Sequence, residues 1–382
     1  METLRYPSKD LTLILNICPH YREPIFRLIE KNWDCRWIFG ENKTDIPSCD
    51  TSFMHSVKTL PLEKGKVNTW WLRGLRRILH LSSRKDIIMT GEIKFLGSWY
   101  VMISNRLRPR SKRARIFLWS HGWNGTEKNL RNYFYRLYFG MADGLLLYGN
   151  HSRNIAQKEG IDPSKIHVIH NSLDHDRFIN IRHKMASGYS GAMFFRQWFE
   201  NPSCPTLVYI GRLSLIKKLQ QLFEAVAILK AEGRECNVAI IGEGHDKETL
   251  LKTSSDLKLR DNIHFFGPIY DLMESAPIIY NSDICVSPGH IGLTAIHALE
   301  LGTPVVTHSD FSAQAPEAET VIPGQTGQLF EKNNIEDLAK AISRQLDQNE
   351  AIGRDAVRNK CYEAIESWTP EWQFERFKTA LE

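Results

Sequence analysis

Five short apolar runs in the second half of the chain follow one another at helix-long intervals: "TLVYIG" (206–211), "NVAIIG" (237–242), "NIHFFG" (262–267), "DICVSPG" (283–289) and "TPVVTH" (303–308). Four of these five close on glycine. Runs this short, separated by helical patterns, read as buried strands, and strands joined through helices pair in parallel. The first half repeats the arrangement with "LTLILNI" (11–17), "CRWIFG" (35–40), "DIIMTG" (86–91), "ARIFLWS" (114–120), "GLLLYG" (144–149) and "KIHVIH" (165–170). The pattern predicts two parallel sheets covered by crossover helices. In such sheets a ligand lies beyond the carboxyl ends of the strands, where glycine lets the backbone approach it and the next helix offers free N–H groups. Two sheets facing each other would make one cleft.

At 382 residues the chain exceeds what one hydrophobic core usually serves. Periodicity lapses between about 178 and 205, where Gly, Ser, Pro and mixed charges succeed one another. The predicted division is therefore a first domain over 1–180, a linker over 181–205 and a second domain over 206–365. A terminal helix over 366–382, with aromatic residues to bury, is long enough to reach back to the first domain.

Composition excludes several classes. Hydrophobic residues at 42% and charged residues at 24% are those of a folded globule, and no run approaches the ~18 apolar residues of a spanning helix. "LTLILNI" follows a charged leader and is too short for a signal-peptide core, so a cytoplasmic location is expected. The seven cysteines contain no Cys-x-x-Cys pair, which argues against both a zinc site and a disulfide framework. The net charge of +5 is unevenly placed: segment 106–115 holds six basic residues and no acid, and segment 64–85 is basic too, with Trp70 and Trp71 among leucines. These segments either meet an anionic membrane surface, the tryptophans dipping in, or form an ordinary amphipathic helix with a solvated basic face. No nucleic-acid-binding motif accompanies the charge.

The chemistry concentrates in "YIGRLSLIKKLQQLFEAVAILK". Leu219, Leu222, Phe223, Val226 and Leu229 recur at helical spacing as a core face, and Arg212 and Lys217 stand just ahead, with Gly211 closing the strand. Two fixed cations beside a helix N-terminus suit a diphosphate and the charge that grows on it as it leaves; a pair of surface cations is the alternative. In "GHIGLTAIHALELGTPVV" (289–306), His290 and His297 stand seven residues apart, two turns on one face if the segment is helical throughout. His121 follows a strand in a glycine-flanked loop, which favours a catalytic or sugar-contacting role over a structural hydrogen bond, and Tyr21 and Arg22 follow the first strand, where they would approach donor phosphates or an acceptor, or else mark a helix start fixed by Pro24 with an exposed arginine.

Gly211, Arg212, Leu213 and Lys217 resemble the phosphate-binding signature of the retaining glycosyltransferases of family 4, which have the GT-B fold. "NVAIIGEGHDKETL", "NIHFFG", "ALELGTPVVTH" and "VIPGQTGQLF" are similar to that family's successive blocks, as are "PHYREPIF", "SHGWNG" and "VIHNSLDHDRF" in the first half. Each motif alone is weak, but the ordered set spans nearly the whole chain. The resemblance implies an α/β enzyme of two Rossmann-like parallel-sheet domains facing a cleft, the C-terminal helix crossing back to the N-terminal domain. It would move a sugar from a nucleotide-sugar, with retention, to a glycan or lipid-linked acceptor in surface-polysaccharide synthesis. The nucleotide-sugar, a UDP- or GDP-sugar, is a co-substrate; no cofactor and no metal is implied. Arg212 and Lys217 would hold the diphosphate, Gly242 and Gly267 would lie near the nucleotide, and His121 would sit near the donor sugar.

One departure stands out. The family commonly places two glutamates eight positions apart where this chain has Gly289 and His297. A neutral imidazole at 297 can take over the hydrogen bond to the ribose; otherwise His297 is a satisfied core histidine and His290 a loop residue. The sugar-facing role would pass to backbone N–H groups from Ile291 through Gly292 and Leu293 to Thr294, or to Glu317 or Glu319. Asp174-His175-Asp176 spells an Asp-x-Asp but falls within another family block, and "GEGHDK" lacks the third glycine of a dinucleotide fingerprint. The rival readings are a non-catalytic nucleotide-sugar-binding subunit and a nucleotide-sugar epimerase of the same architecture.

Overall fold

A computed structural model describes residues 10–44, 46–79, 86–125, 129–186, 188 and 191–382. The chain forms two compact units, residues 1–174 with 368–382, and residues 175–367. In the first, strands β1 (Asp10–Leu15), β2 (Asp34–Gly40) and β3 (Val57–Leu60) precede a short antiparallel hairpin, β4 (Leu62–Lys64) and β5 (Trp70–Leu72). Strands β6 (Asp86–Thr90), β7 (Arg115–Ser120), β8 (Gly144–Leu147) and β9 (Ile166–Val168) complete a parallel sheet of order β3-β2-β1-β6-β7-β8-β9. Alternation of side chains across this sheet builds two cores. Ile14, Ile38, Met89 and Leu118 join one layer with Val101, Met102, Tyr138 and Phe139 of the helices Leu96–Arg106 and Asn129–Gly140. Leu13, Phe39, Ile88 and Trp119 join the other with Phe26 and Ile29 of the helix Glu23–Asn32.

The terminal helix Pro370–Leu381 closes that second layer, burying Phe374 and Phe377. Its start is fixed as closely as its middle. Gln373 donates to the His170 carbonyl at 2.7 Å and accepts from Ser172 Oγ at 2.7 Å, and the His170 ring stacks on Trp368 and Trp372 at 4.1 and 4.6 Å.

The second unit carries β10 (Thr206–Ile210), β11 (Asn237–Ile241), β12 (Ile263–Gly267), β13 (Ile284–Ser287), β14 (Val305–His308) and β15 (Gly327–Phe330), all parallel, in the order β12-β11-β10-β13-β14-β15. The helix Leu219–Ala231 packs Leu222, Phe223 and Val226 on it, and the helix Ile335–Ile352 adds Leu338 and Ile342.

The structure differs from the sequence reading in three places. Residues 181–205 are no linker: the helices His175–Ala186 and Ala192–Phe195 belong to the second unit, and Phe195 and Phe199 are buried. The anchor is Glu300, fully buried, whose carboxylate bonds His175 Nδ1 at 2.8 Å and the Arg182 guanidinium. Such long-range pairing leaves no periodic signal. Secondly, Trp70 and Trp71 lie on β5 rather than on a helix, and Trp70 stacks on Phe95 at 4.0 Å. The basic segment there is helical over Leu75–Leu79; residues 80–85 lie outside the described residues. Thirdly, β3, β4 and β15 lie outside the strands read from the sequence, being three or four residues each and, for β3, largely exposed.

Candidate functional site

The loop after β10 is held by backbone on both sides. Gly211 N–H donates to the Ile241 carbonyl at 3.0 Å, Leu213 N–H to Glu243 at 2.9 Å, and Gly289 N–H to the Lys217 carbonyl at 3.1 Å. Two glycines make the approach close enough. A Cβ at Gly242 would fall on the Gly211 carbonyl oxygen, and one at Gly289 on the Ile216 carbonyl oxygen. Gly242 is thus needed for packing the loop, a requirement the sequence reading assigned to the nucleotide. The Tyr209 hydroxyl, donating to the Arg212 carbonyl at 2.9 Å, fixes the loop from beneath. Arg212 itself is exposed, whereas Lys217 is half-buried and donates from Nζ to the His290 carbonyl. Burial lowers the Lys217 pKa, and the negative charge of Glu317, itself buried, opposes that shift.

Neighbouring strand ends deliver the remaining candidates. Gly267 ends β12 and accepts from Gly242 N–H at 2.8 Å. Gly292 and Leu293 lead into the helix Thr294–Glu300, and Thr294 Oγ1 bonds the Ile210 carbonyl at 3.2 Å. Because the helix begins only at Thr294, His290 lies in the loop and the two histidines do not share a helical face. The His297 ring meets Phe178 edge-on at 5.2 Å; burial pushes its pKa down to about 4, and its Nε2 has no hydrogen-bond partner among the described residues. One expected donor is already used: Ile291 N–H goes to Gln314 Oε1 at 2.9 Å. Gln314 Nε2 in turn donates to Thr307 Oγ1 at 2.8 Å, which ties the 289–291 loop to β14.

Sequence reasoning missed Gln314, because a lone glutamine has no motif, and it missed His308 at the end of β14. His308 is buried, and its pKa falls to about 4 through burial first and then the nearby Lys332 charge. Lys332 pairs with Asp310 at 2.7 Å and holds that carboxyl down to about 2. The carboxyl edge of this sheet therefore gathers Arg212, Lys217 and Lys332 with neutral imidazoles.

The first unit gathers a different set at the carboxyl ends of β1, β6, β7 and β8. Arg22, on the short turn before the helix Glu23–Asn32, donates to the Tyr148 hydroxyl and lies 4.7 Å over the Trp119 ring. Tyr21 flanks it, its ring 5.8 Å from the guanidinium carbon. The His121 ring sits 4.8 Å from Tyr148, and close packing and then the Arg22 charge push its pKa down to about 4. Glu92, after β6, was not singled out from the sequence; its pKa is raised by desolvation. His175 of the Asp-x-Asp stretch is committed to Glu300, and among the described residues no group of three or more His, Cys, Asp or Glu is placed to hold a metal.

Two family models match the chain, Glycosyltransferase Family 4 over residues 27–177 and Glycosyl transferases group 1 over residues 193–368. The chain belongs to the group 1 glycosyltransferases of family 4. The chain is 30% identical to a glycogen synthase of Mycobacterium tuberculosis over 153 residues, 39% of this chain and 36% of that one. The matched stretch thus spans about a third of that relative's length. Solved structures extend the likeness in fold. The lipopolysaccharide outer core galactosyltransferase WaaB in its apo form superposes with a TM-score of 0.68, 16% identity and coverage of 97% of this chain and 98% of that one. HepE of Anabaena in complex with UDP superposes with a TM-score of 0.71, 13% identity and coverage of 97% and 99%. The chain has the GT-B fold, with two Rossmann-like parallel-sheet domains.

Proposed function

We propose that the protein transfers a sugar from a UDP- or GDP-sugar to a glycan or lipid-linked acceptor, with retention at the anomeric carbon, in the synthesis of a surface polysaccharide at the cytoplasmic face of a membrane. The observation that carries this reading is the 211–217 loop, which offers two cations while backbone bonds and close glycine contacts hold it in place. Charges fixed in advance stabilise a departing diphosphate without reorganising as it leaves. In the reaction, the bond from the anomeric carbon to the diphosphate breaks as the acceptor oxygen bonds the same face of that carbon. The acceptor's proton passes to the leaving phosphate oxygen. Arg212 and Lys217 meet the phosphate charge, in place of a divalent cation. His297 is neutral at physiological pH, and its Nε2, without a hydrogen-bond partner among the described residues, suits a ribose hydroxyl. Tyr21 and Arg22 are assigned to the acceptor or phosphate side, and His121 to the donor sugar. WaaB is a lipopolysaccharide outer core galactosyltransferase and HepE was solved with UDP, which supports the donor and acceptor classes.

The test is donor turnover by purified protein. An Arg212→Ala variant should lose at least about 100-fold in transfer, the effect of removing one preorganised donor to a developing anion. Unchanged turnover would defeat the reading. A second reading, a nucleotide-sugar-binding subunit without turnover, is favoured by Gly289, where the Ile216 carbonyl leaves no room for the usual carboxylate. Donor binding without any consumption of donor, across a panel of acceptors, would select it.

A further inference from the structure

The helices Leu96–Arg106 and Asn129–Gly140 bury their inner sides in one core layer and lie against each other: Ser98 Oγ is 2.7 Å from the Tyr138 hydroxyl, and the Arg106 guanidinium donates to the Met141 carbonyl at 3.0 Å. The outer side of a surface helix is ordinarily polar. Here Leu96, Tyr100, Ile103 and Leu107, at spacings of four, three and four, form a stripe on the outer side of the first helix, with Ile103 48% and Leu107 83% exposed. Tyr133, Phe134 and Leu137 are exposed on the second. This apolar surface is edged by cations. No Asp or Glu occurs from 93 to 125 or from 129 to 142, whereas Arg106 ends the first helix, Arg108, Arg110, Lys112 and Arg113 follow it, and Arg131 and Arg136 lie on the second. Arg110 and Lys112 are exposed and enter no ion pair among the described residues.

We propose that this two-helix face docks the protein peripherally onto an anionic lipid surface. Aliphatic and aromatic side chains enter the head-group boundary while the arginines and lysines meet lipid phosphates. The charge pattern selects this occupant: a second copy of the same face would set like charge against like charge. The proposal also relocates the membrane contact expected from the sequence. Segment 64–85 has committed Trp70 to a stack on Phe95, so the apolar contribution comes from residues 96–107 and 133–137. It stands independently of the transfer chemistry proposed above.

The experiment is co-sedimentation of the full chain with phosphatidylcholine vesicles, with and without phosphatidylglycerol. The wild-type protein should partition onto the phosphatidylglycerol vesicles and not onto pure phosphatidylcholine, and added salt should release it. Replacing two exposed apolar chains, Ile103→Ser with Leu107→Ser, should lower partition at least about tenfold. Arg110→Glu with Lys112→Glu should also lower it at least about tenfold. An unchanged thermal midpoint qualifies each variant, and the charge variant lies outside both helices should the apolar one fail to fold. Wild-type partition by either folded variant, or no preference for the anionic vesicles, overturns the proposal. A concentration-dependent dimer abolished by the apolar variant, with vesicle binding unaffected, overturns it in favour of self-association.

Discussion

The carboxyl edges of the two sheets use arginine in opposite ways. At the edge of the second sheet the backbone does the positioning, through bonds at 211, 213 and 289 and carbonyls seated on Gly242 and Gly289, so the Arg212 side chain remains exposed. At the edge of the first sheet the Arg22 side chain does the positioning itself, bonded to Tyr148 and laid over Trp119. A cation spent on aromatic packing keeps its charge but has fewer free N–H groups for a ligand. Similar strand-end architecture thus yields an edge with an exposed arginine on a backbone-held loop in one unit and an edge with its arginine packed on aromatic rings in the other.

The comparison can be broken or sharpened by substitution. The largest effect is expected at Glu300, whose loss leaves Arg182 largely buried without its carboxylate: Glu300→Ala should destabilise the second unit by about 3–5 kcal/mol, read by chemical denaturation. If the unfolding of the first unit shifts equally, the units are not independent in stability. Lys217→Ala should cost about 3 kcal/mol of transition-state stabilisation, on the order of 100-fold in transfer, whereas Arg22→Ala should act mainly on acceptor KM. Equal losses in donor affinity from both would erase the contrast between the edges. Gly289→Ala should cost about 1–3 kcal/mol and weaken donor binding by displacing the 216–217 backbone, measurable by thermal shift with nucleotide-sugar.

The smallest effect is a pH slope. His121 and His297 each have a folded pKa of about 4 against an ordinary 6.5, so between those values the unfolded chain binds more protons than the native one. Stability therefore falls as pH drops from 6.5 towards 4. His297→Gln should flatten that slope for the second unit, and His121→Gln for the first by less, because His121 keeps an exposed face. A slope unchanged by His297→Gln would mean that the imidazole is protonated in the fold.

Much of this was legible before the fold. The Gly211-Arg212-Leu213 run and the glycine-closed strands marked the second sheet's edge because close backbone approach demands glycine at fixed places. What escaped were contacts between distant residues. Gln314 reaches the 291 amide across 23 positions, Glu300 reaches His175 across 125, and the Arg22 to Tyr148 bond spans 126. Each depends on two distant segments meeting, and neither partner looks unusual in its own stretch of sequence. The outward stripe on Leu96–Arg106 escaped for a related reason: apolar residues occupy both sides of that helix, and only its packing shows which side was left out.

By itself, then, the sequence determined the strand and helix alternation and the parallel sheets, because periodicity and glycine placement are local consequences of backbone geometry, while the ordered motifs carried the resemblance to the family. Only the tertiary structure decided which cations are exposed and which are packed on aromatic rings, where the unit boundary falls and that no side chain fits at 289. Those outcomes depend on what lies within a few ångströms in space, and close packing lets one carbonyl exclude a side chain that the sequence alone would have allowed.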